Sequence, residues 1–202
     1  ELATPDPTRS GWLKLADYEL ATRLAYFIWN SGPDDELLDA AGRGELDDEA
    51  AFSKQVDRLL ASPRARDGLV HVFTDWLGLD RLPTLTKDAA YFPGFSTSLA
   101  SSMSGELHET IAAFMVDKGA DFRDLFITRD TFLNSELASF YGLPAPAGTG
   151  FAPAIFPDSG PRAGLLGLSG MLAILASETA TSPTLRGKFI RVELLCEDIP
   201  PP

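Results

Sequence analysis

Apolar side chains recur at every third or fourth position through most of the chain, and this spacing constrains the fold more than any other feature. It is the period of a helix that buries one face. In residues 17–30 the apolar stripe consists of Leu20, Leu24, Phe27 and Ile28. After Pro63 it consists of Leu69, Val72, Phe73, Trp76 and Leu77. No segment alternates long enough to require a β-strand, so the spacing predicts an all-α fold.

Capping residues and helix breakers divide this pattern into about eight helices of one compact bundle with irregular loops. The longest predicted helix covers about 98–118, and the last begins at Ser182-Pro183 and runs to about Leu195. Residues 144–161, rich in Gly, Pro and Ala, predict an exposed loop. The apolar segment 163–176 predicts a core helix, too short to cross a membrane.

The irregular stretch 78–95 predicts a boundary between two helical parts, 1–80 and 81–202, which we expect to pack as one globular unit. The chain does not begin with Met, and it ends in the proline run 200–202. We therefore expect a piece of a longer protein, with the prolines starting a stiff linker.

Charge and cysteine content narrow the classes of partner. The 17 basic and 29 acidic side chains give a formal net charge of −12, which repels nucleic acid and anionic lipid. We expect neither a nucleic-acid partner nor a membrane span. The single cysteine, Cys196, leaves two alternatives: a buried free thiol, or a disulfide with a cysteine outside this chain.

No complete catalytic motif is present. His108-Glu109 lacks the second histidine of a zinc protease, and Gly167-Leu168-Ser169-Gly170 lacks the spacing of a nucleophile elbow. On a helix Glu106 and His108 point about 200° apart, so they cannot share a metal ion. We expect no metal site. Candidates for acid/base chemistry are His71, Glu106 and His108, although each is also explained as a hydrogen-bonded structural residue.

A basic cluster stands out on this acidic chain at the start of the last helix. It combines the helix-capping Ser182 with Arg186, Lys188 and Arg191, and Arg162 precedes it in the sequence. Helix starts and arginine side chains bind anions, so these five residues are candidates for an anion or an acidic partner surface. Ordinary capping and salt bridges are the alternative.

Several short motifs, taken in order, resemble two tandem domains of unknown function. Those resembling the domain numbered 1592 are Asp17-Tyr18-Glu19-Leu20-Ala21, Tyr26-Phe27-Ile28-Trp29, Pro33-Asp34-Asp35 and Trp76-Leu77. Those resembling the domain numbered 1588 are Phe92-Pro93, Phe132-Leu133-Asn134, Tyr141-Gly142, Arg162 with Gly164-Leu165-Leu166, and Thr181-Ser182-Pro183 with Arg186-Gly187-Lys188. Departures are Ala163, where glycine is commoner, and Phe189, where tryptophan is common.

The resemblance implies a large exported protein of planctomycetes or myxobacteria and an extracytoplasmic location, periplasmic or cell-surface. It implies a c-type haem in an adjoining segment and none in this chain. The implied partners are that haem-bearing domain and a redox partner protein. The family supplies no catalytic residue.

Three functions remain open at this point. The first is a non-catalytic structural and interaction module of a protein linked to c-type haem and electron transfer. The second is part of a peroxidase-like oxidoreductase with its active site at the interface to the missing haem segment. The third is a secreted hydrolase or carbohydrate-binding unit, for which Asp34 and Asp35 are equally well explained as helix starters.

Overall fold

A computed structural model describes residues 3–7 and 9–200. Pro201 and Pro202, and with them most of the predicted proline linker, lie outside the described residues. The chain divides into two compact units, Glu1–His71 and Val72–Pro202. The boundary predicted between residues 80 and 81 stays a prediction, since compactness alone does not define a domain.

The first unit is built from three helices and the start of a fourth. They are α1 (Asp17–Trp29), α2 (Asp35–Gly42), α3 (Glu49–Ala61) and α4 (Pro63–Leu77), preceded by the short antiparallel pair β1 (Thr4–Pro5) and β2 (Leu13–Lys14). Asp34 and Asp48 cap α2 and α3 by accepting from the backbone N–H groups of Leu37 and Ala51. The core lies between the apolar faces of α1, α2 and α3. Within it, Trp29 donates its indole N–H to the Leu59 carbonyl at 2.8 Å.

The second unit is arranged around one long helix. This is α5 (Thr97–Ala112), which continues into a π-helical turn, Ala113–Asp117. The other α-helices are α6 (Ser135–Tyr141), α7 (Ser169–Ile174) and α8 (Pro183–Phe189). The strands β3 (Asp130–Leu133) and β4 (Ala152–Ile155) pair antiparallel. Helix α5 packs against the 3-10 segment Leu79–Thr84, β3, α6 and α7, and so forms the centre of this unit.

Four predictions need correction. The fold is mostly helical rather than all-α, because two small antiparallel sheets are present. The predicted loop 144–161 contains β4, and the predicted helix 163–176 is reduced to a 3-10 turn, Leu165–Gly167, and the short α7. Gly164 has a φ of 64°, which is incompatible with a helix starting there.

Cys196 is exposed, so the buried-thiol alternative is wrong.

The remaining helix predictions agree with the structure. Eight α-helices occur in the described part of the chain, as many as the spacing indicated. Ser182 caps α8, and this helix runs on through a π-helical turn to Leu194. Among the described residues, no helix has both the length and the apolar character needed to span a bilayer.

Candidate functional site

One glutamate lies on the buried face of α5. The helical period that places Leu99, Met103 and Leu107 toward the core brings Glu106 inward with them, and its side chain is 0% exposed. A carboxyl group this deep needs hydrogen-bond donors around it, because burying an unpaired charge is costly. The residues packed on α5 supply them.

The donors come from β3 and α6. Thr131 of β3 donates its hydroxyl to one carboxylate oxygen of Glu106 at 2.8 Å, and Tyr141 at the end of α6 donates to the other at 2.7 Å. Ser169, the first residue of α7, joins through its hydroxyl, which lies 2.7 Å from the Tyr141 hydroxyl. Its backbone N–H also donates to the Tyr141 oxygen, at 2.9 Å. We call Glu106, Thr131, Tyr141 and Ser169 the Glu106 network.

Burial sets the acidity of this network. Removal from water raises the pKa of Glu106 to about 7, although the hydrogen bonds from Tyr141 and Thr131 and the charge of Arg162 act in the opposite direction. Burial, and then the neighbouring carboxylate, also raise the pKa of Tyr141 above that of an ordinary tyrosine. Near neutral pH, Glu106 is therefore the group of the network that exchanges a proton.

Arg162 lies against the network without an ion-pair contact to it. Its guanidinium stacks on the Tyr141 ring, 4.8 Å from the ring centre, and donates to the Gly167 carbonyl at 2.9 Å. Arg162 thus belongs to the buried site. The other members of the predicted basic cluster do not belong to this site.

An apolar cavity of about 220 Å³ lies beside this network. Its wall includes Ser169 and Arg162 together with mainly apolar side chains, among them Leu99, Met103, Phe140 and Leu172. Lys87 also borders it. The Lys87 ammonium donates to the carbonyls of Ala173, Ala176 and Ser177, and burial lowers its pKa.

The three predicted acid/base candidates have different surroundings. His71 is exposed on α4 and belongs to the first unit. His108 is half-buried on α5, and its Nε2 lies 3.1 Å from the Thr74 hydroxyl. Burial lowers its pKa. Glu106 and His108 contact different partners, in agreement with the opposite directions that the helical spacing predicted.

The basic residues of the last helix lie on its outer surface. Ser182 accepts the Leu185 N–H at 3.2 Å, which makes it the N-cap of α8. Arg191 pairs with Glu197 at 2.9 Å. Arg186 is half-buried and Lys188 exposed, and neither has an ion-pair partner among residues 3–7 and 9–200. Two cations of α8 thus have no ion-pair partner in the described part of the chain.

The chain's residues do not fit covalent haem attachment. A c-type haem is held by two cysteines, whereas the sequence contains Cys196 alone. In the described ranges no three His, Cys, Asp or Glu side chains lie close enough to hold a metal ion.

Fold and site together define a mostly helical protein in which both oxygens of a buried carboxylate, Glu106, accept hydrogen bonds. The sequence places it in a family: residues 15–143 match PSD4, a protein of unknown function (DUF1592), and the chain belongs to that family. Residues 162–202 match PSCyt3, a protein of unknown function (DUF1588), in tandem. The first match extends over the motifs of residues 92–142, which the sequence analysis grouped with the second domain. No curated protein and no solved structure is significantly similar to the chain.

Sequence reasoning found Glu106 and missed the residues around it. Thr131, Tyr141 and Ser169 come from β3, α6 and α7, which are far apart in the sequence, and no spacing rule connects them. The one available signal was the position of Glu106 at the border of an apolar stripe, since a carboxyl group there requires donors from neighbouring elements.

Proposed function

We propose that this chain is a non-catalytic structural and interaction module of a larger extracytoplasmic protein linked to c-type haem and electron transfer. The haem would be carried by an adjoining segment of the same protein, which this module would hold in place. Membership of the PSD4 family and the tandem match to PSCyt3 support this context.

One observation carries the non-catalytic part of the proposal. Glu106 has the proton affinity of an acid/base catalyst, but both of its oxygens accept hydrogen bonds from Thr131 and Tyr141 and its side chain is fully buried. A catalytic acid or base has to come within hydrogen-bond reach of its substrate. In this arrangement the carboxyl group connects β3 and α6 to the central helix, which is a structural role.

The interaction part of the proposal rests on α8. Arg186 and Lys188 have no ion-pair partner among the described residues. Arg191, in the π-helical turn that follows α8, is paired with Glu197. An arginine binds carboxylates with a planar pair of N–H donors. These two side chains fit the carboxylates of a haem or the acidic face of a redox partner.

The haem midpoint potential of the full-length protein tests this assignment. We expect it to fall when Arg186 and Lys188 are both changed to alanine, because nearby cations favour the reduced haem, which carries one positive charge fewer. Arg191→Ala is the matched control, since its charge is already compensated, and should shift the potential less. Equal potentials in all three proteins would contradict docking through α8.

A second function is favoured by a different observation. Ser169 extends the Glu106 network to the wall of the apolar cavity, which gives a peroxidase-like oxidoreductase a route for proton transfer. A hydrolase or carbohydrate-binding unit has less support. Asp34 caps α2 by accepting the Leu37 N–H, and it also accepts a hydrogen bond from the Arg58 side chain.

Peroxidase turnover of the full-length protein separates the first two functions. The structural assignment predicts that Glu106→Gln, which keeps the size and hydrogen-bonding capacity of the side chain, leaves turnover unchanged. Loss of most of the turnover in a variant with normal haem content and normal folding would instead assign an acid/base role to Glu106.

A further inference from the structure

The Tyr141 hydroxyl lies within hydrogen-bond distance of more groups than its single proton can be donated to. Its oxygen lies 2.7 Å from Glu106 and 2.7 Å from the Ser169 hydroxyl, and it accepts the Ser169 N–H at 2.9 Å. A phenol has a single proton to donate. Tyr141 can donate to Glu106 or to Ser169, but not to both at once.

The charge of Glu106 selects between these two arrangements. An ionised Glu106 has no proton, so Tyr141 donates to it and the Ser169 hydroxyl donates to Tyr141 or to Glu106 itself. A protonated Glu106 can donate to Tyr141, which then donates to Ser169. In this second arrangement the Ser169 proton is released from the network and can be donated to another group.

The cavity that Ser169 lines can supply that other group. Ser169 is 4% exposed, and its hydroxyl bonds with Tyr141 and also lies within hydrogen-bonding range of Glu106. A serine hydroxyl can make three hydrogen bonds, so capacity remains on the side that borders the cavity. Lys87 cannot meet a ligand there without giving up one of its three carbonyl acceptors.

We propose that the apolar cavity is a binding site for a small, largely apolar molecule with one hydrogen-bond-accepting oxygen, and that binding is coupled to proton uptake by Glu106. The ligand oxygen accepts the hydroxyl proton of Ser169, Tyr141 turns its proton from Glu106 to Ser169, and Glu106 takes one proton from solvent. No covalent bond changes. The volume of about 220 Å³ exceeds the ~150 Å³ of a cavity that holds benzene, so an aromatic ketone is of suitable size.

The charged groups around the network leave Glu106 as the proton acceptor. The guanidinium of Arg162 lies against the Tyr141 ring. On β3, Asp130 pairs with Lys118, and on α6, Glu136 accepts from Ser98 and Ser102. The remaining charged groups on α5 and on the segments packed against it are Asp80, Arg81, His108, Glu109 and Asp117. Helix α7 carries none.

Calorimetric titration with acetophenone between pH 5.5 and 8.5 tests the proposal on the wild-type chain. Isopropylbenzene is the matched probe, since it has a similar shape but no acceptor oxygen. We expect the affinity for acetophenone to fall with pH by up to about tenfold per unit above about 7, the limit for uptake of one proton. The affinity for isopropylbenzene should not change. Buffers of different ionisation enthalpy should reveal proton uptake with acetophenone alone.

Two variants identify the coupled groups. Glu106→Gln mimics the protonated acid, so it should bind acetophenone at every pH as tightly as the wild type does at pH 5.5. Tyr141→Phe interrupts the chain of hydroxyls between Glu106 and Ser169 and should reduce the pH dependence. The proposal is overturned if neither probe binds, if both bind equally well, or if the wild-type affinity for acetophenone is independent of pH. This test needs no haem, so its outcome is separate from that of the proposed function.

Discussion

At the scale of single residues, the buried face of α5 contains two polar side chains with opposite surroundings. Glu106 receives hydrogen bonds from two hydroxyl groups, whereas the hydroxyl of Thr110, one turn later, is buried and has no hydrogen-bond partner. An unmade hydrogen bond in the interior costs about 1–3 kcal/mol. The same helix face therefore holds both a stabilising and a destabilising polar group.

Replacement of each threonine by valine, which has nearly the same shape, measures this difference. We expect Thr110→Val to raise the free energy of unfolding by about 1 kcal/mol, because it removes an unsatisfied hydroxyl. Thr131→Val should lower it by about 1–3 kcal/mol, because it leaves one oxygen of Glu106 without a donor. Urea unfolding at pH 8 measures both, and equal effects of the two substitutions would contradict the hydrogen bonding described here.

The raised pKa of Glu106 predicts how stability depends on pH. Between the ordinary glutamate pKa of 4.5 and about 7, the folded protein holds a proton on Glu106 that the unfolded chain releases. The contribution of Glu106 to stability is therefore fully present below pH 4.5 and is lost as the pH rises to 7, by on the order of 3 kcal/mol. Other groups titrate in the same range, so the difference between wild type and Glu106→Gln isolates the effect. A constant difference across this range would show that the pKa of Glu106 is not raised.

At the scale of elements, close approach of backbones fixes how the helices of the first unit pack. Gly68 of α4 lies so near α1 that an added Cβ would be 2.1 Å from the Ile28 carbonyl oxygen. Main-chain atoms cannot move aside as a flexible side chain can. In α8, by contrast, a Cβ at Gly187 would meet no atom within 4 Å.

The two helical glycines provide a matched test of this packing. We expect Gly68→Ala to lower the free energy of unfolding by about 1–3 kcal/mol or more, because α4 must shift away from α1. Gly187→Ala should raise it by about 0.5–1 kcal/mol, through the better helix propensity of alanine. Thermal unfolding of both variants checks the prediction, and a stabilising Gly68→Ala would show that the helices do not approach this closely.

The elements also show where sequence reasoning succeeds and where it stops. Local signals predicted the capped helices well, because an N-cap such as Asp48 or Asn134 acts on the backbone three residues away. The pair β3 and β4 was missed, since each strand has four residues and the pairing joins segments that α6 separates. The helix start at Ser169 was missed because Gly164, whose N–H donates to the Thr128 carbonyl, holds the preceding chain in a non-helical conformation.

At the scale of the whole molecule, the sequence located the candidate site only in part. It supplied Glu106 and Arg162, but these meet Tyr141 only after α5, α6 and the segment before α7 have packed. Net charge could be read directly, and it drew attention to the basic residues Arg186 and Lys188 on an acidic chain. A site assembled from separate elements cannot be read from spacing within one of them.

We propose that this chain is a non-catalytic module that accompanies a c-type haem. The most direct measurement is the absorption spectrum of the natural full-length protein, followed by haem staining after denaturation. We expect a Soret band that shifts on reduction and a haem that stays covalently attached to the polypeptide. A full-length protein without covalent haem would contradict the claim.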